Sequence, residues 1–403
     1  MRNSGELEGW TTDAVVIGGG VIGLAVAREL GRRGLRATVL ERGRAGCEAS
    51  NAAAGMLAPQ AEADCADEFF LLQCAGRDAY PAFAAALREE TNFDIELDQT
   101  GTLYVALSEE DEAELERRYV WQTEAGLEVE RLTAENACAL EPALSRRVRW
   151  ALKFPSDWQV ENRRLVLALA AAVKAHGGGV WEGVAATMLR VERGRVTGVE
   201  TSHGCLSTPI VIIAAGAWSS RVRFSREAEI AGFSAAGVHV PEHPRIEPVR
   251  GQMICFNPRP SFLHLLRGGH VVYSPRGYLV PRRDGRLLAG STTEHAGFAA
   301  SVTAAGLHAL TAHALEIAPE VGDLAVMETW AGLRPCAADE WPVIGAGADV
   351  PGLFYATGHY RNGILLAPLT GALVAEMIVS GRVPPLVEPF TPERFRRAAS
   401  CVN

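Results

Sequence analysis

A short glycine pattern near the start of the chain constrains the fold more than any other feature of the sequence. Gly18, Gly20 and Gly23 form G-x-G-x-x-G between an apolar run at Ala14–Ile17 and residues 21–33, whose apolar residues recur at helical spacing. The first glycine permits a tight turn, the second lets the backbone approach a pyrophosphate, and the third lets the helix pack against the strand. The arrangement predicts the first unit of a doubly wound parallel sheet.

An acidic residue follows the second predicted strand. Residues 37–40 are apolar and end at Glu41, where a carboxylate can accept hydrogen bonds from ribose hydroxyls. Val21 and Ile22 begin the predicted helix, whose N-terminus suits an anion, and we count them among the cofactor contacts. Because the strand, the helix and the acidic residue follow one another in the order that such a site requires, the sequence predicts a dinucleotide site. A chance glycine-rich turn and a plain surface acid at Glu41 are the alternatives.

Residues 49–57, ASNAAAGML, are small and uncharged, which favours a flavin over a nicotinamide cofactor. Small side chains let backbone amides come close to a bulky planar ligand; helix packing for structural reasons is the alternative. A second strand-then-glycine turn at residues 212–220 can close around the adenosine half. The predicted contacts are Ser50, Asn51, Ala52, Ala53, Ala54, Gly55, Met56, Val184, Gly216 and Trp218.

A second anion-binding segment lies far along the chain, at residues 358–368 with the sequence GHYRNGILLAP. It places backbone N–H groups and polar side chains ahead of an apolar helix, and a helix N-terminus carries about half a positive charge. Together with the glycine pattern, this segment predicts a flavin held at both ends. The predicted contacts here are Gly358, His359, Tyr360, Arg361, Asn362, Gly363 and Ile364.

Composition excludes several classes of function. The net charge of -9 argues against a nucleic-acid partner, which requires clustered Lys and Arg. We expect no membrane span, because no apolar run reaches about 18 residues, and the N-terminus lacks the layout of a secretory signal. The 8 cysteines are scattered, which argues against a zinc site or a disulfide framework and favours a cytoplasmic protein.

The order of patterns along the 403 residues predicts two domains. Nucleotide-type strands and helices at both ends enclose short alternating strands near residues 251–290. We therefore expect an α/β protein, with a discontinuous Rossmann-like FAD-binding domain and an α+β substrate domain built on an antiparallel sheet. The predicted bounds are 11–90, 158–222 and 326–382 for the first, 91–157 and 223–325 for the second, and 1–10 and 383–403 for tails.

Six segments together resemble the FAD-dependent D-amino-acid oxidase superfamily, and most closely its bacterial glycine oxidase branch, linked to thiamin thiazole synthesis. They are VVIGGGVIG, SNAAAGML, AAGAWS, GYLVPR, WAGLRPCAADEWPVIG and GHYRNGILLAP, in the expected order from residue 15 to residue 368. Many flavoproteins share the first segment. The combination of AAAGML, AGLRP and GHYRNGILLAP is far more specific.

The resemblance implies roles for three residues of a catalytic site. Arg334, in AGLRP, matches the arginine that receives the substrate carboxylate, which a guanidinium binds with two parallel N–H donors. Tyr278, in GYLVPR, matches a tyrosine that adds an O–H to the same carboxylate. Arg361 matches an arginine close to the flavin and the substrate entrance. The alternatives are a structural Arg334, a core Tyr278, and an Arg361 paired with a phosphate or at an interface.

Two residues depart from the family pattern. Thr293 stands where some relatives carry an apolar pocket residue, and Cys336 stands where many have glycine. Some amine oxidases of this superfamily bond the flavin covalently through a cysteine near here. Gly332 stands at that anchoring position, so the resemblance implies noncovalent FAD, with Cys336 as the residue to check. We predict no metal ligands.

The implied reaction is oxidation of glycine, and of sarcosine or small D-amino acids, to the imino acid and then glyoxylate. Dioxygen is reduced to hydrogen peroxide, so the partners are a small amino acid and O2. Relatives often form tetramers, which by analogy implies a homo-oligomer. One alternative is a D-amino-acid or sarcosine dehydrogenase that passes electrons to a quinone. Another is a flavin-carrying subunit or RNA-modifying module.

Overall fold

The protein's structure is a computed structural model that describes residues 10–225, 243–257 and 268–400. These residues form a six-stranded central sheet, an eight-stranded large sheet, a five-stranded small sheet and one two-stranded pair, Met56–Leu57 with Trp158–Gln159. Helices cover or connect the sheets throughout. The predicted α/β architecture is confirmed.

The central sheet combines strands from both ends of the chain. Its order is Val343–Ala346, Leu353–Thr357, Val211–Ile213, Ala14–Ile17, Ala37–Glu41 and Gly179–Glu182. Neighbouring strands are parallel except the first pair, which is antiparallel. The glycine pattern thus lies in a mainly parallel sheet, as predicted.

One face of the central sheet packs against helices and the other against the small sheet. Along Ala14–Ile17, Ala14 and Val16 join the core of the helical layer, whereas Val15 and Ile17 join the core shared with the small sheet. Successive side chains of a strand point to opposite faces, so a strand covered on both sides is apolar throughout. The helices are Val21–Arg32, Glu68–Asp78, Tyr80–Thr91, Asn162–Ala175 and Gly363–Ser380; the small-sheet strands are Trp10–Thr11, Gly204–Ser207, Arg195–Thr201, Ala186–Glu192 and Arg223–Phe224.

The large sheet is antiparallel apart from one pair, Val271–Ser274 with Thr102–Ala106. The short alternating strands predicted near residues 251–290 all belong to it. Its order is Ala325–Ala337, Ile246–Asn257, Leu287–Gly290, Gly277–Pro281, Val271–Ser274, Thr102–Ala106, Trp150–Phe154 and Glu130–Thr133. The remaining helices are Ala49–Ala52, Pro59–Glu62, Glu109–Glu124, Ala134–Leu140, Gly216–Arg221, Ala304–Ile317, Pro319–Asp323, Pro385–Phe390 and Glu393–Ser400.

The predicted domain boundaries stay a prediction, but the structure places two segments differently from what those boundaries imply. Strand Ala325–Ala337, assigned mostly to the cofactor domain, pairs over its whole length with Ile246–Asn257 in the large sheet. Residues 383–403 were expected to be a tail, yet Val387 and Phe390 are 0% exposed in the helical core. Their apolar side chains explain the difference, since burial removes them from water.

The structure also differs from the predicted N-terminal tail, residues 1–10, at residue 10. Trp10 pairs with Leu206 at the edge of the small sheet, so the ordered chain begins before residue 11. Residues 1–9 of that tail and 401–403 of the C-terminal tail lie outside the described residues, as do residues 226–242 and 258–267 of the predicted substrate domain.

Helix Gly363–Ser380 corrects the expectation about apolar length. It has 18 residues and a mean hydropathy of 1.8, so by length and composition alone it could cross a membrane. However, 61% of it is buried inside the protein, where it packs against Val21–Arg32 and Glu68–Asp78. Its apolar composition follows from its place at the centre of the helical layer.

The third glycine of the pattern has no room for a side chain. A Cβ at Gly23 would lie 2.0 Å from the carbonyl oxygen of Gly18. We expect Gly23→Ala to push the helix away from the turn, lowering the free energy of unfolding by about 1–3 kcal/mol and reducing bound cofactor. Thermal unfolding and visible absorbance of the purified protein measure both effects.

Gly322→Ala is the matched control, because a Cβ there meets only the end of the Leu315 side chain, at 3.0 Å. Equal losses in the two variants would contradict a specific packing role for Gly23.

Candidate active site

A cavity runs along the carboxyl ends of the central strands and reaches the large sheet. Ile17, Leu40 and Ala214 line it where three neighbouring strands end, and Tyr278 and Arg334 line it on the large-sheet side. In open α/β sheets, ligands bind outside the carboxyl ends of the strands. The two predicted anion-binding segments, more than three hundred residues apart, thus meet around one space.

The glycine turn forms one wall of this cavity. Gly18 has a φ of 109°, and a Cβ there would lie 2.3 Å from the carbonyl oxygen of Ala214. Gly20, Val21 and Ile22 also line the cavity. Gly23 does not line it, so its cofactor contact stays a prediction, while the close packing it allows agrees with its predicted role beside the turn.

Glu41 lies at the edge of the cavity with its carboxylate held in place. Its two oxygens accept the N–H groups of Gly19, at 2.9 Å, and Gly43, at 2.8 Å. A carboxylate has further lone pairs, so this one can still accept hydroxyl hydrogen bonds from a ribose. Val184, a predicted contact, does not line the cavity; its N–H instead donates to the Glu41 carbonyl, at 2.9 Å, and its neighbours Ala185 and Ala186 line the space.

Residues 49–57, the segment of small residues, line the cavity along most of their length. The lining residues are Ala49, Ser50, Ala52, Ala53, Ala54, Gly55 and Met56. Asn51 is not among them, so its contact stays a prediction; its carbonyl accepts from the Asn162 amide, at 3.2 Å. The buried Arg282 donates to the carbonyls of Ala54, at 2.7 Å, and Val160, at 2.8 Å, and holds the loop in place.

Gly332 lets the large sheet come close to this segment. A Cβ at Gly332 would lie 2.4 Å from the Cβ of Ala52. The neighbouring Trp330 donates its indole N–H to the Ala52 carbonyl, at 3.0 Å. Gly332 lines the cavity as predicted.

The far end of the cavity is covered by Trp218 and Arg42. Gly216 and Trp218 line it as predicted, and the Arg42 guanidinium lies 3.6 Å from the centre of the Trp218 ring. Arg42 also pairs with Glu48, at 2.5 Å. The sequence analysis missed Arg42 and Glu48, although the position of Arg42 directly after Glu41 was a usable signal.

The segment ahead of helix Gly363–Ser380 forms the opposite wall. His359, Tyr360, Arg361, Asn362, Gly363 and Ile364 line the cavity. Gly358 does not line it, so its contact stays a prediction; it makes the turn before the helix with a φ of 72°.

His359 is neutral at physiological pH. Burial lowers its pKa to about 3, and its Nε2 shares a hydrogen bond with the Thr370 hydroxyl, at 3.0 Å. A ring that does not titrate near neutrality cannot exchange protons there efficiently.

Arg334 is a guanidinium removed from water without a carboxylate partner. It donates to the Thr292 carbonyl, at 3.0 Å, and to the Ser291 hydroxyl, at 2.6 Å, and burial lowers its pKa. No carboxylate in the described ranges lies within salt-bridge distance of it. A buried charge is costly unless it is paired, so the site is suited to an incoming anion.

Tyr278 lies beside Arg334 with a weakly engaged hydroxyl. The residue is 6% exposed, and among the residues that the structure describes its O–H donates only to the thioether sulfur of Met253, at 3.4 Å. A thioether is a weak acceptor, so a ligand carboxylate can replace it.

Arg361, in contrast, already has a carboxylate partner. Its Nε lies 3.5 Å from Glu62, whose charge raises the pKa of Arg361, and its Nη2 lies 3.4 Å from the Tyr273 hydroxyl. Sequence reasoning missed Glu62, because only the fold brings helix Pro59–Glu62 beside residue 361. Of the two predicted active-site arginines, Arg334 is thus the one whose positive charge has no carboxylate partner among the described residues.

A second, polar cavity adjoins the first. The two share Glu62, Tyr278, Ser291, Tyr360 and Arg361. Thr293, noted as a departure from the family pattern, lines this second cavity with Tyr273, Arg118 and Arg276. Substituents on a bound small molecule can therefore extend past Tyr278 into polar surroundings.

Cys336 lies outside the cavity lining. Burial raises the pKa of its thiol to about 11, and the sulfur donates to the Ala337 carbonyl, at 3.3 Å. In the described part of the chain, none of the cysteines lines the cavity. Among the same residues, no group of three or more His, Cys, Asp or Glu could hold a metal ion.

Comparison with known proteins decides the family. Residues 13–377 match the model of the FAD dependent oxidoreductase family. The chain belongs to this family. FAD is therefore its cofactor. The groups that fit it are the small residues of segment 49–57, the glycine turn and Glu41.

Relatives of this FAD-dependent oxidoreductase carry specific names. The chain is 34% identical to a glycine oxidase of Geobacillus kaustophilus, covering 91% of this chain and 92% of the relative. It is also 34% identical to a bifunctional protein ThiO/ThiG of Synechocystis, covering 96% of this chain but only 54% of the relative, about half its length. The solved structure of the Geobacillus kaustophilus glycine oxidase matches with a TM-score of 0.85 and 33% identity, over 95% of this chain and 98% of that one.

One buried carboxyl supports the cavity wall and gives the oxidoreductase a pH-dependent stability. Asp157 accepts the N–H groups of Gln60, at 3.1 Å, and Ala61, at 2.8 Å, and so caps helix Pro59–Glu62. Burial raises its pKa to about 7, above the value of about 4 in an unfolded chain. The contribution of this group is present below about pH 4 and is lost as the pH rises to about 7.

We expect Asp157→Asn, which stays neutral, to reduce the decline in unfolding free energy between about pH 4 and pH 7. Denaturant titrations across that range measure it for both proteins. A difference between wild type and variant that does not change with pH would contradict the raised pKa.

Proposed function

We propose that this oxidoreductase oxidises glycine, and also sarcosine or small D-amino acids. For glycine the balanced reaction converts glycine, O2 and water to glyoxylate, ammonia and hydrogen peroxide. The observation that carries the proposal is the buried Arg334, which has no carboxylate partner among the described residues and lies beside the weakly engaged hydroxyl of Tyr278. The names of the relatives at 34% identity support the same substrate.

The chain's own residues bind and orient the amino acid. Arg334 offers two parallel N–H donors to the carboxylate, and the Tyr278 hydroxyl adds a third. FAD, when bound, accepts the two electrons and passes them to dioxygen. Because burial lowers the pKa of His359 to about 3, its ring is a poor proton acceptor, and we expect the ammonium group to lose its proton to solvent before oxidation.

Helix Gly363–Ser380 adds an electrostatic contribution. Its first residues, Gly363 and Ile364, line the cavity, so its N-terminus faces the bound ligands. That end carries about half a positive charge, which stabilises negative charge that develops nearby.

Arg334→Ala removes the carboxylate-binding group. We expect kcat/KM for glycine to fall by roughly 30- to 5000-fold, because about 2–5 kcal/mol is lost when one partner of a desolvated charge pair is truncated. Arg334→Lys keeps the charge but not the two parallel donors, so it should recover only part of the loss. Normal glycine turnover in flavin-loaded Arg334→Ala would remove this residue from the site.

The substrate and the electron acceptor are tested together by an anaerobic titration. Glycine, sarcosine, D-alanine and D-proline are added separately, and bleaching of the flavin absorbance identifies the substrates. Air is then admitted and peroxide is measured. We expect glycine to bleach the flavin and peroxide to match the substrate consumed.

The same titration separates the alternatives. Bleaching without peroxide, followed by reoxidation with a quinone, would favour a D-amino-acid or sarcosine dehydrogenase. A flavin spectrum unchanged by every substrate would favour a flavin-carrying subunit whose partner defines the reaction.

We further propose that the enzyme acts in the cytoplasm as a homo-oligomer and contributes to thiamin thiazole synthesis. The scattered cysteines support the compartment, and the ThiO/ThiG name of one relative supports the pathway. Light scattering on the purified protein measures the oligomeric state.

A further inference from the structure

The guanidinium of Arg334 is held by a short loop segment that follows strand Leu287–Gly290. Its Nη1 donates to the Thr292 carbonyl, at 3.0 Å, and its Nη2 donates to the Ser291 hydroxyl, at 2.6 Å. These two closer acceptors belong to consecutive residues outside regular secondary structure, and a longer contact runs from Nη1 to the Arg250 carbonyl, at 3.4 Å, in strand Ile246–Asn257. The direction of the guanidinium therefore depends on what fixes these two residues.

Glu294 fixes Thr292, because its carboxylate holds the Thr292 hydroxyl and is itself held by two further hydrogen bonds. It accepts from the Thr292 hydroxyl, at 2.5 Å, and from the Gln252 amide, at 2.6 Å, and it pairs with the Arg250 guanidinium. The backbones of Arg250 and Glu294 also exchange hydrogen bonds, at 2.8 and 2.9 Å. Although burial acts to raise it, these hydrogen bonds hold the pKa of Glu294 below its usual value.

The carboxylate is anchored to regular secondary structure on its other side. Gln252, in strand Ile246–Asn257, is 0% exposed and donates its backbone N–H to the Thr292 hydroxyl, at 2.9 Å. Its side-chain oxygen accepts the N–H of Thr303, at 2.8 Å, and its amide donates to the Thr303 hydroxyl, at 3.1 Å. Thr303 caps helix Ala304–Ile317, so the network links the loop to a strand and a helix.

Glu294 itself lines neither cavity, so it touches neither the cofactor space nor the substrate space. Its effect on a bound ligand has to pass through Thr292 and Arg334. A direct electrostatic role is weakened by Arg250, whose positive charge offsets the carboxylate.

We propose that Glu294 is a positioning residue for recognition of the substrate carboxylate. Its carboxylate fixes the Thr292 hydroxyl, and the Thr292 carbonyl and Ser291 hydroxyl then hold the Arg334 guanidinium in its binding direction. This inference rests on the proposed function, in which Arg334 receives the carboxylate.

The test uses the flavin-loaded enzyme and two readouts, acetate binding and glycine kinetics. Acetate is a carboxylate without an amine, and its binding is followed by the change in flavin absorbance. In Glu294→Gln we expect the acetate Kd and the glycine KM each to rise about tenfold, corresponding to 1.4 kcal/mol, with kcat changed less than about threefold. FAD content and Tm should stay close to those of the wild type.

Glu130→Gln is the matched control. Glu130 is also a carboxylate in an ion pair of the large sheet, 3.0 Å from Lys153, but at the edge opposite Arg334. Acetate Kd and glycine KM should be unchanged in this variant.

A second pair of variants tests the route through Thr292. Thr292→Val removes the hydroxyl that Glu294 holds, whereas Thr292→Ser keeps it. We expect Thr292→Val to weaken acetate binding about tenfold, Thr292→Ser to bind normally, and the Thr292→Val/Glu294→Gln double variant to match either single variant.

The outcomes distinguish the two proposals. A wild-type enzyme that neither binds acetate nor oxidises glycine overturns the proposed function. A wild type that does both, while Glu294→Gln binds acetate normally, overturns the positioning role. If Glu294→Gln does not retain FAD, normal acetate binding by Thr292→Val overturns the positioning role. A double variant whose loss of acetate affinity equals the product of the two single losses also overturns it.

Discussion

A positive charge withdrawn from water without a carboxylate partner is the constraint around which the rest of this structure is arranged. Arg334 is held by two carbonyls and a hydroxyl, which orient its guanidinium but do not neutralise it. Dipoles of this kind offset part of the cost of removing a charge from water, and an anion offsets more. The folded protein therefore carries a binding preference for a carboxylate before any ligand arrives.

The two arginines of the site show how neighbouring groups give one residue type two roles. Arg361 faces Glu62 across 3.5 Å, so its charge is already balanced. Arg334 has no such neighbour in the described chain, so its charge is available to a ligand. This difference depends on helix Pro59–Glu62, whose N-terminus Asp157 caps from a distant part of the sequence.

Features that depend on local patterns could be predicted from the sequence. The spacing of Gly18, Gly20 and Gly23 requires a strand, a turn and a helix in that order, and the structure contains them. Contacts made through side-chain direction could not be predicted in this way. Asn51 and Val184 lie next to residues that line the cavity but do not line it themselves, and Glu62 and Glu294 contact partners that only the tertiary fold brings near. The C-terminal segment was misjudged for a similar reason, since Val387 and Phe390 are apolar positions whose packing partners are far away in sequence.

The composition of the central sheet has a consequence for how the protein is made. Strand Ala14–Ile17 pairs with Val211–Ile213, which in turn pairs with Leu353–Thr357, so the middle of the sheet spans nearly the whole chain. During translation, the N-terminal glycine turn leaves the ribosome long before helix Gly363–Ser380 has been synthesised. A nascent chain consequently lacks one wall of its flavin cavity until residues 359–364 emerge, and its exposed apolar strands have to remain soluble until then.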